Sequence, residues 1–105
     1  MYGYTLHVPA PIEVYQSLHA AVLEVLGEEG GGEGLLLHLA YATDRGFDLT
    51  EVWESKDHFD AFNRVVLPKA MARAGSTMEV PQLDPVEFNP VGVMTPRAFT
   101  SDSTA

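Results

Sequence analysis

The stretch Gly46-Phe47-Asp48-Leu49-Thr50-Glu51-Val52-Trp53-Glu54-Ser55-Lys56-Asp57-His58-Phe59-Asp60-Ala61-Phe62 reads as an alternating strand that runs straight into a capped helix. Leu49, Glu51 and Trp53, the only Trp of the chain, share one face of the strand by its period of two. Ser55 stands where a side-chain oxygen accepts from the first free N–H groups of a helix. Asp57 follows and favours the positive end of the helix dipole. His58 takes the third helical position, so the capping box that needs Glu or Gln there is absent, and His58 is expected to be exposed. Phe59, Phe62 and Val66 then recur at helical spacing.

Working outward, Thr43-Asp44-Arg45-Gly46 is a tight turn, and Leu35–Ala42 before it is a strand apolar on both faces. The two strands form an antiparallel hairpin. Tyr2–Val8 is a first strand, with Tyr2, Tyr4, Leu6 and Val8 on one face and Thr5 and His7 on the other. Pro9 and Pro11 stop it, and Pro11 suits the first turn of a helix. Ile12, Tyr15, Leu18, His19, Val22 and Leu26 then mark an amphipathic helix, with Gly27 expected to end it. Residues 28–34 are a connector. No Gly-Lys-Ser/Thr and no GxGxxG accompanies their glycines, and Glu28, Glu29 and Glu33 oppose an anion.

The second helix is expected from Lys56 to Arg73, kinked or split near Leu67 by Pro68 and closed by Gly75. Val86–Val93 is expected as a fourth strand, at a sheet edge because of Pro90. The order β-α-β-β-α-β predicts an α+β, ferredoxin-like fold: a four-stranded antiparallel sheet with both helices on one face. Residues 1–96 read as a single domain and 97–105 as a disordered Ser/Thr-rich tail. Two helices cover only one face of the sheet. A second strand with Leu35, Leu37, Leu39 and Tyr41 on the other face predicts a homodimer, sheet against sheet.

The 105 residues carry a net charge of −9, which argues against nucleic acid and against an anionic membrane surface as partners. No Cys is present, so thiolate chemistry and disulfides are excluded. Without a signal-peptide pattern or a membrane-spanning apolar run, a soluble cytoplasmic domain is expected. No two His share a helix at four-residue spacing, and no metal site is predicted. No flavin or nicotinamide motif is visible, so no cofactor is expected.

Candidate chemistry comes from the hairpin. With an even-numbered turn, Leu36 faces Trp53, His38 faces Glu51, and Ala40 faces Leu49. His38 beside Glu51 is a candidate general base, because a carboxylate orients the imidazole and favours its protonated form. Trp53 would wall a hydrophobic pocket, with Leu36 along it and Ala40 leaving room above the sheet. Tyr15 could donate a hydrogen bond to a small hydrophobic or aromatic ligand, and His19 could point into the same cavity. His7 is a candidate for the pocket rim or the dimer interface.

The run Gly34-Leu35-Leu36-Leu37-His38-Leu39-Ala40, the turn Thr43–Gly46, and Val52-Trp53-Glu54-Ser55 with Phe59, Phe62, Leu67-Pro68 and Gly75 resemble the dimeric α/β-barrel superfamily. More narrowly, they resemble small bacterial proteins related to antibiotic biosynthesis monooxygenases. The resemblance spans about Tyr2 to Met94. It implies that Trp53 matches a pocket-walling Trp and that His38 matches a His that recurs in those small proteins. Quinone-forming members carry an Asn on the Trp strand, where this chain has Leu49 and Glu51. Haem-degrading members carry a His well along the second helix and an Asn in the first strand, and this chain has neither. The implied activity is a cofactor-independent, monooxygenase-like reaction on a small aromatic or polyketide-type substrate. A polyketide cyclase or isomerase and a non-catalytic dimeric binding protein are the alternatives.

Overall fold

The computed structural model describes residues 1–75 and 83–94. In chain order it comprises β1 (Tyr2–Val8), α1 (Ile12–Glu29), β2 (Leu35–Thr43), β3 (Gly46–Trp53), α2 (Lys56–Ala74) and β4 (Val86–Phe88). The four strands form one antiparallel sheet in the order β2-β3-β1-β4. This is the ferredoxin-like α+β arrangement expected from the sequence. The tail expected over 97–105 lies outside the described residues.

Alternation along the strands divides the sheet into two faces. Tyr4, Leu6, Val8 and Phe47 are buried on the helix side and pack with Ile12, Val14 and Phe59. A second cluster, Ala21, Val25, Val66 and Ala70, joins α1 to α2. Ser55 caps α2 as expected, its Oγ accepting from the His58 N–H at 3.2 Å. Gly75, at φ 65°, closes that helix in the left-handed conformation.

The structure departs from the sequence reading at five places in the fold. First, α1 does not end at Gly27. It continues to Glu29 with Gly30 as its C-cap, and Glu28 and Glu29 pair with Arg73 and Lys69 of α2. Those partners are distant in sequence and could not be seen locally. Second, α2 runs unbroken through Pro68. The bond that proline cannot donate belongs to the carbonyl of Arg64, on an exposed turn where water can satisfy it.

Third, β4 stops at Phe88 instead of Val93, after pairing Gly3, Tyr4 and Thr5 with Phe88, Glu87 and Val86. Pro90 has no N–H to extend the ladder. Fourth, a β-bulge between Leu35 and Leu37 pairs Leu35, not Leu36, with Trp53. One extra residue reverses the strand's parity, so Leu35 turns to the helix side while Leu37, Leu39 and Tyr41 stay on the open face. Fifth, the His58 ring is half-buried, not exposed. It covers Gly34, where an added Cβ would lie 2.5 Å from the ring, and its Nδ1 lies 2.7 Å from Ser55 Oγ.

Candidate active site

Between the sheet and the helix pair lies a cavity of about 480 Å³. Close-packed interiors hold few voids larger than a water molecule, and ligand pockets occupy about 300–1,000 Å³. Its walls are mainly apolar: Leu6 and Leu49 from the sheet, Leu18, Val22 and Leu26 from α1, and Phe62 from α2. Its polar lining is concentrated on Tyr4, Tyr15, His19, His38, Glu51 and Asn63.

The polar end is built on one row across three strands. Tyr4 of β1 pairs with Glu51 of β3, which pairs with His38 of β2. The predicted His38–Glu51 opposition is therefore present, as is Ala40 opposite Leu49. His38 Nδ1 lies 2.6 Å from Glu51 Oε2. The Tyr4 hydroxyl donates to Glu51 Oε1 at 2.7 Å, and the Trp53 indole N–H donates to the same oxygen at 3.0 Å. On its other side, His38 Nε2 lies 2.6 Å from the Tyr15 hydroxyl, which in turn is 3.2 Å from His19 Nδ1. The three rings stack, with His19 and His38 nearly parallel at 6° and 5.5 Å between centroids.

Burial raises the Glu51 carboxyl, but hydrogen bonds from His38, Tyr4 and Trp53 outweigh it and hold the group below the usual carboxylate range. Burial, then the Glu51 charge, pushes the Tyr4 phenol far up, and the same two causes raise Tyr15 more modestly. Burial, then the neighbouring His38, lowers His19. The result is a buried anion, two protonated phenols and a neutral outer imidazole. Such a set can move protons and orient a polar group at one end of an apolar ligand. Among the described residues no cluster of three or more His, Cys, Asp or Glu is placed to hold a metal ion.

Of the residues singled out from the sequence, His38, Glu51, Tyr15 and His19 converge on the cavity. Trp53 does not wall it. The indole is fully buried, and its N–H is committed to Glu51. Leu36 sits in the bulge and Ala40 further along β2, and neither lines the cavity. His7 is on the open face, with Nδ1 2.7 Å from Asp48 Oδ1, and is not at the rim. Sequence reasoning missed Tyr4 as a ligand of Glu51 and Leu35 as a wall. The sequence places Tyr4 on one face of β1 with Leu6 and Val8, but the register that sets it opposite Glu51 is a long-range pairing. The Trp53–Glu51 bond joins residues i and i+2 on one face of a strand, a local signal that could have been used.

Compared with solved structures, the chain is similar to Rv0793 from Mycobacterium tuberculosis, with a TM-score of 0.54 at 13% sequence identity over 90% of this chain and 98% of that one. The likeness is one of fold. At this identity it carries no chemistry. No protein-family model and no curated protein matches the chain. Among the described residues no helix is long and apolar enough to cross a membrane.

Proposed function

We propose that the cavity is the active site of a cofactor-independent enzyme that removes a proton from a small aromatic or polyketide-type molecule. The observation that carries this reading is the His38–Glu51 pair, 2.6 Å apart, at the polar end of an otherwise apolar cavity. Glu51 orients the imidazole through its Nδ1, which is what a general base requires. The apolar walls suit a flat hydrophobic body. The carbanion or phenolate formed then reacts with oxygen, as the resemblance to antibiotic biosynthesis monooxygenases suggests, or cyclises or isomerises.

One observation favours a second reading, a non-catalytic small-ligand-binding protein. Both ring nitrogens of His38 are hydrogen-bonded within the chain, so His38 offers no free nitrogen to a ligand directly. The deciding experiment is oxygen uptake with a panel of anthrones and hydroquinones, without added cofactor, on the parent protein and on His38→Ala. Uptake that disappears in His38→Ala supports the oxygenase. Ring closure or isomerisation without oxygen consumption, seen by product analysis, supports the cyclase. Retained ligand binding with no turnover by either protein overturns the catalytic reading in favour of the binding one.

We also propose that the protein works as a homodimer through the open face of the sheet. Leu39, Tyr41, Val86 and Phe88 are exposed there, and Asp48 beside His7 is the only acidic residue among the strand positions of that face.

A further inference from the structure

The ionisable residues lining the cavity are Tyr4, Tyr15, His19, His38 and Glu51, and hydrogen bonds join all five into one chain. Their proton inventory follows from what each atom can do. The Glu51 carboxylate only accepts, so His38 carries a proton on Nδ1. When His38 is neutral its Nε2 is an acceptor, and the Tyr15 O–H must donate to it. The Tyr15 oxygen then accepts from His19 Nδ1–H, which leaves His19 Nε2 as a lone-pair acceptor. That nitrogen has no partner among the described residues, and no buried side-chain nitrogen or oxygen among them lacks one, so it is accessible. It is the one open end of the network.

Adding a single proton at this end reverses the network without breaking it. With a proton on His19 Nε2, His19 Nδ1–H passes its proton to the Tyr15 oxygen. Tyr15 passes its own proton to His38 Nε2. The two hydrogen bonds to the Tyr15 oxygen survive with their directions exchanged, the bonds to Glu51 keep theirs, and the positive charge has moved from the outer ring to the inner one, against Glu51. The 2.6 Å and 3.2 Å separations are both within hydrogen-bond range.

We propose that Tyr15 and His19 complete a proton relay with His38 and Glu51, in which His19 Nε2 takes the proton from the ligand and two hops through the Tyr15 hydroxyl store the charge on His38. The inference rests on the proton-abstraction reading and names His19, not His38, as the group that meets the substrate. In the step, the ligand's O–H or enolisable C–H bond breaks and leaves its electron pair on the ligand. An N–H bond forms at His19 Nε2, and the two internal transfers conserve protons and electrons. The ligand class is therefore one that brings a weakly acidic hydrogen to an acceptor, a phenol or enolisable ketone, and not a carboxylate. Burial and the proximity of His38 disfavour a charge held on His19, which drives the proton inward.

The test reads histidine tautomers by nitrogen-15 NMR from about pH 8 to about pH 5, on the full chain and without substrate. Expected is a neutral His19 protonated on Nδ1 at the high end, switching to Nε2–H in step with formation of the His38 imidazolium. In Tyr15→Phe, which keeps the ring but cuts the wire, the two stacked rings still repel as charges, but the His19 tautomer no longer switches with the charge on His38. A His19 that stays Nε2–H throughout in the parent protein, or a tautomer switch that survives Tyr15→Phe, overturns the relay.

Where turnover is found, Tyr15→Phe and His19→Gln lower kcat about 10²-fold with KM changed by less than about threefold. Turnover lost in His38→Ala but untouched in both of these variants sinks the relay and leaves proton abstraction standing. Coupled tautomers without turnover of any substrate sustain the wiring and sink the catalytic reading.

Discussion

Glu51 accepts hydrogen bonds from three side chains on three strands while itself only 6% exposed. A buried carboxylate is tolerable only when its lone pairs are occupied, and here no buried polar side-chain atom among the described residues lacks a partner. Replacing one oxygen with an amide that points its own N–H groups at existing donors breaks that arrangement. Glu51→Gln should therefore lose about 2–4 kcal/mol of stability at neutral pH. The pH dependence has a definite sign. The folded-state pKa lies below the unfolded value of 4.5, so the carboxylate's contribution is complete above that value and is lost as pH falls through the folded one. Urea denaturation followed from pH 7 down to pH 3 should show a steep acid limb in the parent protein and a shallower one in Glu51→Gln. Equal limbs would mean that the acid sensitivity arises elsewhere. Trp53→Phe keeps an aromatic ring in the core but removes the indole N–H, and should cost about 1–3 kcal/mol in the same assay.

At the scale of elements, two glycines make opposite predictions. Gly46 closes the hairpin at φ +144°, and a Cβ there would stand 2.0 Å from the Val8 carbonyl oxygen, in backbone that cannot swing away. Gly46→Ala should destabilise by about 3 kcal/mol or more. Gly27 sits inside α1 with nothing within 4 Å of such an atom, so Gly27→Ala should stabilise by about 0.5–1 kcal/mol. Thermal melts of the two variants would separate these cases, and a destabilised Gly27→Ala would contradict an unbroken α1. The contrast also explains what could be read from the chain. The β3–α2 junction was legible because alternation, the Ser55 cap and the recurrence of Phe59 and Phe62 are local. The His38–Glu51 pairing was legible because Thr43 pairs with Gly46 across a two-residue turn, which carries the register up the hairpin. The register failed at Leu35-Leu36-Leu37, where three consecutive leucines give no parity signal to announce a bulge. The end of α1 is not legible locally because what stabilises its last turn lies on α2. Tyr15 could not be assigned to His38, since that contact depends on how α1 docks over β2.

The molecule as a whole carries a net charge of −9, and its distribution is informative. Leu37, Leu39 and Tyr41 of β2, Thr50 and Val52 of β3, Thr5 of β1, and Val86 and Phe88 of β4 occupy the open face, and Asp48 is its one acid among the strand positions. That acid is already engaged by His7 at 2.7 Å and by the Tyr41 hydroxyl at 3.3 Å. A second copy approaching this face meets a largely neutral, apolar surface, whereas approach over the helices meets the exposed carboxylates of Glu13, Glu24, Glu28, Glu29 and Asp57. The surface is also self-complementary in kind, as a closed two-fold interface requires. Leu39, half exposed in the single chain, marks the point where one charge would do most harm. Sedimentation equilibrium should therefore find a dimer for the parent protein and a monomer for Leu39→Glu, because a carboxylate buried without a partner costs several kcal/mol. Leu39 points away from the helices, so the Tyr15–His38–Glu51 chain should survive in the monomer, and the histidine tautomers described above provide the check. A parent protein that sediments as a monomer at high micromolar concentration would refute the face-to-face dimer. A Leu39→Glu variant that remains dimeric would move the interface to another surface.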